Sequence, residues 1–519
     1  MSAIVNRLRA RPRPYLAACC LLLGGVFYAR RLFDFGYIHG DEGVALMGGW
    51  RIFLGQLPGR DFFEIFPPLS FLPTALFFKL FGPNFFAERL LTLVYAVCLI
   101  AAGDDLLRRL TRSPLARWAL ASFLIPFGVL QWMLPSHHWL VDILQLLALS
   151  CLLRAYSGRP PWRWGMAAGV LTALACFTMQ DQGGYLAVAL LVLFFPLLAD
   201  RRLRKRLFLA WLAGGVTVAA GFALYLLPHV SLSELLYQWL IFPATRYRGS
   251  PGNTGSLLGL GWQEIGSPAW RNSLKFYADY TLAQTVFSLV LPLLPVAAAV
   301  MLAVEPRAGG RAAVSGLLFA GWLAFVGGCL HRLAQTNLVW AAPLSLVVVA
   351  AFSGAGMERG DRRRRLAGQA LAVGMICLGV AYAVGNYRRI GAMDKVRVSG
   401  PAGSLTVPAR STESSMQLVV EAIDKLVPPE DSLFCTEYNP EINFWTQRRN
   451  PTPYNLFISP DFNTRQQAAE VIDVLSRRSD IYVLIFIPLL SANDRLGPWI
   501  LNNYQVVWRF PWALLMRKP

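Results

Sequence analysis

Apolar runs separated by short, basic turns run through most of this chain. Runs long enough to cross a bilayer fall near Tyr15–Phe33, Phe85–Leu107, Leu115–Leu134, His138–Leu153, Trp164–Thr178, Gly184–Leu198, Leu207–Leu227, Leu282–Val304, Ala312–Leu330, Leu338–Phe352 and Leu366–Gly385. Helices rise about 1.5 Å per residue, so each run approaches the roughly 30 Å of a hydrocarbon core. The pattern predicts an α-helical polytopic membrane protein with about eleven transmembrane helices. The segment Pro67–Phe81 is apolar but short. The basic clusters decide its reading: Arg7 to Arg13, Arg108 to Arg117, Arg154 to Arg163, Arg201 to Arg206, Arg307 with Arg311, and Arg362 to Arg365. They share one side only if Pro67–Phe81 is re-entrant or interfacial, and the positive-inside rule makes that side cytoplasmic. The N-terminus is then inside, and the loop 34–84 and the C-terminus are outside.

The period changes after Asn386. Amphipathic runs at Met416–Leu426 and Gln466–Arg477 alternate with strand-like runs at Ser432–Cys435, Ile481–Ile487, Tyr504–Phe510 and Ala513–Met516. This alternation predicts a small α/β domain. Val396–Arg410, rich in Gly, Ser and Pro, is expected to be a linker. The expected division is a membrane domain over 1–390, carrying the external loop 34–84, and an extracytoplasmic α/β domain over 391–519.

With 55% hydrophobic and 15% charged residues among 519, the chain is too apolar for an ordinary soluble enzyme. Its formal net charge of +19 lies mostly in the basic turns, so it orients the spans and is not read as a nucleic-acid surface. Seven of the eight cysteines lie in apolar runs, which leaves Cys435 alone in the soluble part, and no metal-ligand spacing appears. No small-residue cleavage site precedes Asp34, so the first span is expected to be retained.

Candidate chemistry concentrates between Tyr37 and Arg89. In order stand Asp41-Glu42, the run Gly55-Gln56-Leu57-Pro58-Gly59-Arg60-Asp61-Phe62, then Pro67-Pro68-Leu69, Phe81-Gly82 and Arg89. In order and spacing these resemble the first external loop of the GT-C membrane glycosyltransferases, the superfamily of the protein O-mannosyltransferases and lipid A aminoarabinose transferases. Weaker similarity continues through the later spans and into the C-terminal segment. The resemblance implies a polyprenyl-phosphate sugar donor, membrane lipids as surroundings, and an acidic general base at the position of Asp41. It names no certain cofactor and leaves room for a divalent metal.

A carboxylate at a membrane boundary is partly desolvated, which raises its proton affinity toward a useful range. Asp41 is the candidate base on both grounds. Glu42 either shares that role, binds a sugar hydroxyl or metal, or caps a helix starting at Gly43. Arg60 and Asp61 are read as a local ion pair or as substrate-positioning groups. Pro67 and Pro68 set the start of the short helix. Arg89, at the outer end of a span, either meets a lipid phosphate or snorkels to the interface.

His137 and His138 occupy an external turn, but adjacent helical residues point in different directions, which disfavours joint ligation of one metal. Asp181 sits in another external turn, where the resembled family often has a lysine that this chain lacks; it is read as a partner for an arginine. Arg246, Tyr247 and Arg248, next to Gly249 and Gly252, form either a phosphate clamp or a solvated basic loop. His331 and Arg332 place positive charge on the face where it is otherwise scarce, which favours a phosphate contact.

These readings point to a glycosyltransferase moving a hexosyl or pentosyl unit from a polyprenyl-phosphate carrier to a hydroxyl of a lipid, glycan or protein acceptor. The reaction is expected at the outer face, with inversion, in a bacterial inner membrane whose far side is periplasmic. The alternative is a polytopic lipid or glycan transporter or flippase. Span centres that read as nearly all apolar argue against transport.

Overall fold

The computed structural model describes residues 24–36, 40–131, 133–157, 160–198, 200–247, 311–327, 340, 342–358, 361–409, 411–436, 440–457, 462–486 and 495–519. The expected span Leu282–Val304, all residues between Tyr247 and Arg311, and the first part of Tyr15–Phe33 lie outside them.

Helix α1 covers residues 24–33. α2 (Gly40–Phe53) and α3 (Leu72–Phe81) follow, separated by a 3-10 turn at Pro68–Ser70. Then come α4 (Phe85–Leu110), α5 (Pro114–Phe127), α6 (His137–Tyr156), α7 (Pro161–Thr178), α8 (Gln180–Ala189) and α9 (Arg201–Leu226). α10 (Leu232–Leu236) continues through π-helical turns at Tyr237–Ile241 and Pro243–Tyr247, and α11 (Arg311–Gly327), α12 (Ala342–Glu358) and α13 (Arg362–Ala392) complete the helical part.

Among the described residues, α4, α6, α9 and α13 are long and apolar enough to span a membrane; the 26 residues of α4 extend about 39 Å. α3, with ten residues, is only about 15 Å long, too short to cross. The ends of these helices are set by local chemistry. The Asn84 side chain accepts from Ala87 N at 2.9 Å to start α4, and Asp200 and Asp361 cap the basic first turns of α9 and α13. At the far end of α4, Asp104 and Asp105 pair with Arg108, Arg109, Arg117 and Arg154. Glu358, ending α12, accepts from Thr111 Oγ1 at 2.6 Å. One end of the bundle thus gathers arginines from several turns, and the opposite end of α4 meets the C-terminal part.

That part begins with a hairpin. β1 (Lys395–Gly400) pairs antiparallel with β2 (Gly403–Pro408), so the expected linker is ordered secondary structure. The reason is visible in the period: Val398, Leu405 and Val407 are buried on one face, and Gly403 at φ +110° makes a turn that other residues resist. After α14 (Ser411–Leu426) a four-stranded sheet runs in the order β3-β4-β6-β5. β3 (Ser432–Cys435) is parallel to β4 (Ile481–Phe486), while β6 (Ala513–Arg517) is antiparallel to both β4 and β5 (Gln505–Arg509). α15 (Glu441–Thr446), α16 (Arg465–Arg477) and α17 (Leu496–Asn503) complete it. The chain is therefore a polytopic helical membrane protein with a small C-terminal α/β domain.

α15 positions the site. Its Phe444 packs on Trp50 of α2, Phe78 of α3 and Phe85 of α4, with ring centroids 6.0, 5.2 and 5.4 Å away, and Trp445 meets Phe85 at 4.9 Å. Aromatic burial of this kind gives the first loop a rigid backing.

Candidate active site

α2 carries Asp41 as its second residue. One residue on, Glu42 is buried and its Oε1 lies 2.9 Å from Arg89 Nη2. Arg89 also pairs with Glu88 at 2.8 Å and donates to the Met133 carbonyl. The anions facing Arg89 are thus supplied by the protein. Gly43 meets the C-terminal domain directly: a Cβ there would lie 2.3 Å from Glu441 Oε2 and 2.8 Å from Glu441 N. Glu441 is itself buried, and burial, then the neighbouring charge of Glu42, pushes its carboxyl up to about 8. A protonated Glu441 at neutral pH limits the negative charge stacked behind α2.

The strip from Phe62 to Ser70 ties the elements at this end of the bundle together. Phe63 N donates to Pro453 O at 2.8 Å, and Asn455 Nδ2 donates to Glu64 Oε1 at 2.9 Å. Glu64 N donates to Gln238 Oε1 at 3.2 Å, and the Ile65 carbonyl accepts from Gln180 Nε2 at 2.9 Å. Phe66 packs on the His137 ring at 4.0 Å, and Ser70 Oγ donates to Thr178 O at 2.5 Å. Burial drives the Glu64 carboxyl up to about 7, against the Asn455 hydrogen bond and the charge of Arg51. Arg51 answers it from α2, donating to Asn455 Oδ1 at 2.9 Å and Thr452 O at 3.0 Å; burial lowers its guanidinium to about 10.

Beside this strip lies an apolar cavity of about 290 Å³ whose lining includes Pro67, Phe177, Gln180, Phe222, Leu226 and Trp239. Phe177 and Phe222 stack on each other in its wall, with ring centroids 4.1 Å apart. An apolar chamber with an amide at its rim suits an amphiphile whose polar end meets the strip.

The two histidine rings lie 4.6 Å apart and each packs on a different aromatic partner. His137 faces Phe66, whereas His138 stacks on Trp340 at 3.6 Å and 8° and approaches Gln182 Nε2 at 3.5 Å. One turn further along α6, Asp142 is completely buried, and neither carboxylate oxygen has a hydrogen-bond partner among the described residues. Gln145 follows, donating to the Gln182 carbonyl at 3.0 Å. The expectation of apolar span centres fails along α6, where a polar face extends inward from the histidine turn.

Among solved structures, ArnT from Cupriavidus metallidurans in the apo state aligns over 98% of this chain and 98% of its own, with TM-score 0.54 and 14% identity. The same protein bound to undecaprenyl phosphate aligns over 97% of each chain, at 0.53 and 13%. The archaeal oligosaccharyltransferase AglB from Archaeoglobus fulgidus, in complex with an inhibitory peptide and a dolichol-phosphate, covers 98% of this chain and 74% of its own, at 0.52 and 12%. The fold is the GT-C fold. No protein-family model and no curated protein matches the chain.

Within that GT-C frame the remaining sequence candidates are spread out. Arg60 and Asp61 form a bidentate pair at 2.9 and 2.7 Å, and Asp61 also accepts from Leu57 N at 2.7 Å. The Arg60 hydrogen bond holds the Asp61 carboxyl below its usual range. Asp181 Oδ1 accepts from Gln182 N at 2.7 Å in the first turn of α8. Arg246 is exposed at the end of the π-helical extension of α10, where Tyr247 is the last residue. Arg248, His331 and Arg332 lie outside the described residues. Among the described residues, no three His, Cys, Asp or Glu side chains group to hold a metal ion.

Sequence reasoning missed Arg51, Glu64, Asp142, Glu441 and Asn455. A signal existed for two: Glu64 is an acid inside an aromatic run, and Asp142 an acid inside an apolar one. Glu441 and Asn455 carry no local signal, because their partners lie hundreds of residues away.

Proposed function

We propose that the chain is an integral-membrane glycosyltransferase that takes a sugar from a polyprenyl-phosphate carrier and attaches it to an acceptor hydroxyl. The observation that carries this reading is the GT-C fold over nearly the whole chain, shared with ArnT bound to undecaprenyl phosphate and with AglB bound to a dolichol-phosphate. The apolar cavity beside Gln180 is of the right character for the first part of an isoprenoid tail. Asp41 takes the proton from the acceptor hydroxyl as that oxygen attacks the anomeric carbon, and the phosphate leaves from the opposite face, inverting the centre. Arg246, Tyr247, Arg248, His331 and Arg332 are the candidates to hold that phosphate.

The placement of α2 supports the base. Glu42 is locked to Arg89 and so serves as an anchor for the turn that presents Asp41. The proposed sidedness puts the end of the bundle with the basic turns inside and α2 with the C-terminal domain over 391–519 outside, in line with the positive-inside rule. A bacterial inner membrane with a periplasmic outer face fits this orientation. The acceptor is a lipid, glycan or protein hydroxyl. Polar residues on α6 remove apolar span centres as an argument against transport, and the fold comparison takes that argument's place.

The test is Asp41→Asn in vesicles supplied with radiolabelled polyprenyl-phosphate sugar. Loss of a general base lowers transfer by roughly 10²- to 10⁴-fold, with protein abundance and donor retention near wild type. Undiminished transfer removes Asp41 from the chemistry.

A further inference from the structure

A second cavity, of about 360 Å³, opens where the outer ends of α1 and α13 meet the β1–β2 hairpin. Its charged lining is Arg30, Arg31, Lys395 and Asp34, three cations against one carboxylate, so the described lining carries excess positive charge. The Arg31 guanidinium lies over the Tyr387 ring at 5.2 Å, and its Nε has no hydrogen-bond partner among the described residues. Partial burial and then the nearby charge of Arg31 lower the proton affinity of Lys395. Such a positive field is complemented by an anion with several acceptor oxygens.

The surface beneath the cavity is apolar. Phe27, which lines the cavity and stacks on Tyr387 at 5.3 Å, is 62% exposed, and Val26 beside it is 59% exposed. On α13, Val384 and Val380, one and two turns below Tyr387, are also exposed. Cations at the rim with open apolar helix faces below them match an amphiphile lying with its head at the membrane boundary and its chains along the helices.

We infer that this cavity binds the phosphate headgroup of an anionic membrane lipid, at a site separate from the α2 strip. Arg30, Arg31 and Lys395 hold the phosphate oxygens, and the tails lie on α1 and α13. The site also has a structural reach. Thr406 N donates to Asp34 O at 2.7 Å and Gly36 N donates to Thr406 O at 3.1 Å, so the cavity wall is the same chain that leads into α2. The inference needs the membrane orientation of α1 and α13 and does not depend on the transferase reading; its failure leaves sugar transfer untouched.

Native mass spectrometry of the full-length protein in detergent tests it, with phosphatidylglycerol, phosphatidylcholine and inorganic phosphate as probes. Phosphatidylglycerol is expected to be retained over phosphatidylcholine. Lys395→Gln and Arg30→Gln are each expected to weaken retention about fivefold, as expected for one cation near a lipid surface. Arg30→Lys, which keeps the charge, is expected to restore most of it and shows that the fold survives substitution there. Equal retention of the two lipids, retention unchanged in both Gln variants, or displacement of lipid by low-millimolar inorganic phosphate would each overturn the assignment.

Discussion

Glu64 and Glu441 are carboxyls whose proton affinity is set by burial at the seam between the first loop and the C-terminal domain. Their folded values are about 7 and about 8 against an ordinary 4.5. Above 4.5 the unfolded chain gives up these protons while the folded one keeps them, so stability falls as pH rises and levels off near 8. Below 4.5 both states are protonated and the contribution is steady. For Glu64 the full swing is about 3 kcal/mol. Melting temperatures from pH 5 to 8.5 are therefore expected to decline in the wild type and to decline less in Glu64→Gln and Glu441→Gln, with the Glu64 difference confined below about pH 7. A slope identical in all three proteins would show that neither carboxyl titrates in that window. The pairing of Glu42 with Arg89 has another consequence at this scale: in the adjacent acids of the Asp41-Glu42 motif, the second is committed to a buried cation, which under the proposed mechanism leaves the acceptor to the first.

Elements differ in how much of them local pattern reveals. α4, α6, α9 and α13 follow from apolar length, and β3, β4 and β6 from short β-branched or aliphatic runs bounded by turns. The β1–β2 hairpin was hidden by its composition: Gly, Ser and Pro between Ser399 and Ser404 read as a linker, while the alternation Val396, Val398, Leu405, Val407 that builds the strands was brief. α6 was legible as a span but not as a polar face, since Asp142 and Gln145 sit among leucines and only the neighbouring α8 turn gives Gln145 its partner. The crossing of α7 and α9 was equally silent, though it imposes a strict residue size. A Cβ at Gly169 would lie 1.8 Å from Trp211 O, and one at Gly214 would lie 2.1 Å from Met166 O. Small residues let the two backbones touch, the usual basis of close helix packing in lipid. Gly214→Leu is expected to cost about 1–3 kcal/mol through overpacking and to lower both yield and melting temperature. Gly221→Leu, on the same helix where an added Cβ meets nothing within 4 Å, is the control and is expected to behave as wild type. Equal losses at both positions would refute the close crossing.

At the scale of the whole molecule, the C-terminal domain does more than sit above the bundle, because it supplies the polar partners that the first loop lacks. Arg51 and Glu64 are both buried, and a single side chain, Asn455, serves both: its Oδ1 accepts from Arg51 at 2.9 Å and its Nδ2 donates to Glu64 at 2.9 Å. Phe63 N is satisfied by Pro453 O at 2.8 Å in the same seam. An amide is suited to this position since it presents an acceptor to a guanidinium and a donor to a carboxyl at once. Replacing it with an apolar isostere removes a hydrogen bond to the buried Arg51 guanidinium, worth about 1.5–3 kcal/mol, and a second one to the Glu64 carboxyl, and leaves both groups buried without it. Asn455→Leu is therefore expected to lower stability by about 3–5 kcal/mol, to speed proteolysis between α13 and β3, and to reduce sugar transfer by loosening α2. Arg478→Ala provides the contrast, because the Arg478–Asp480 pair is solvent-exposed on the same domain and such pairs contribute about 1 kcal/mol or less. A melting temperature as little changed by Asn455→Leu as by Arg478→Ala would mean that the two parts of the chain are not coupled through this seam, and that the first loop holds its shape by the aromatic packing around Phe444 alone.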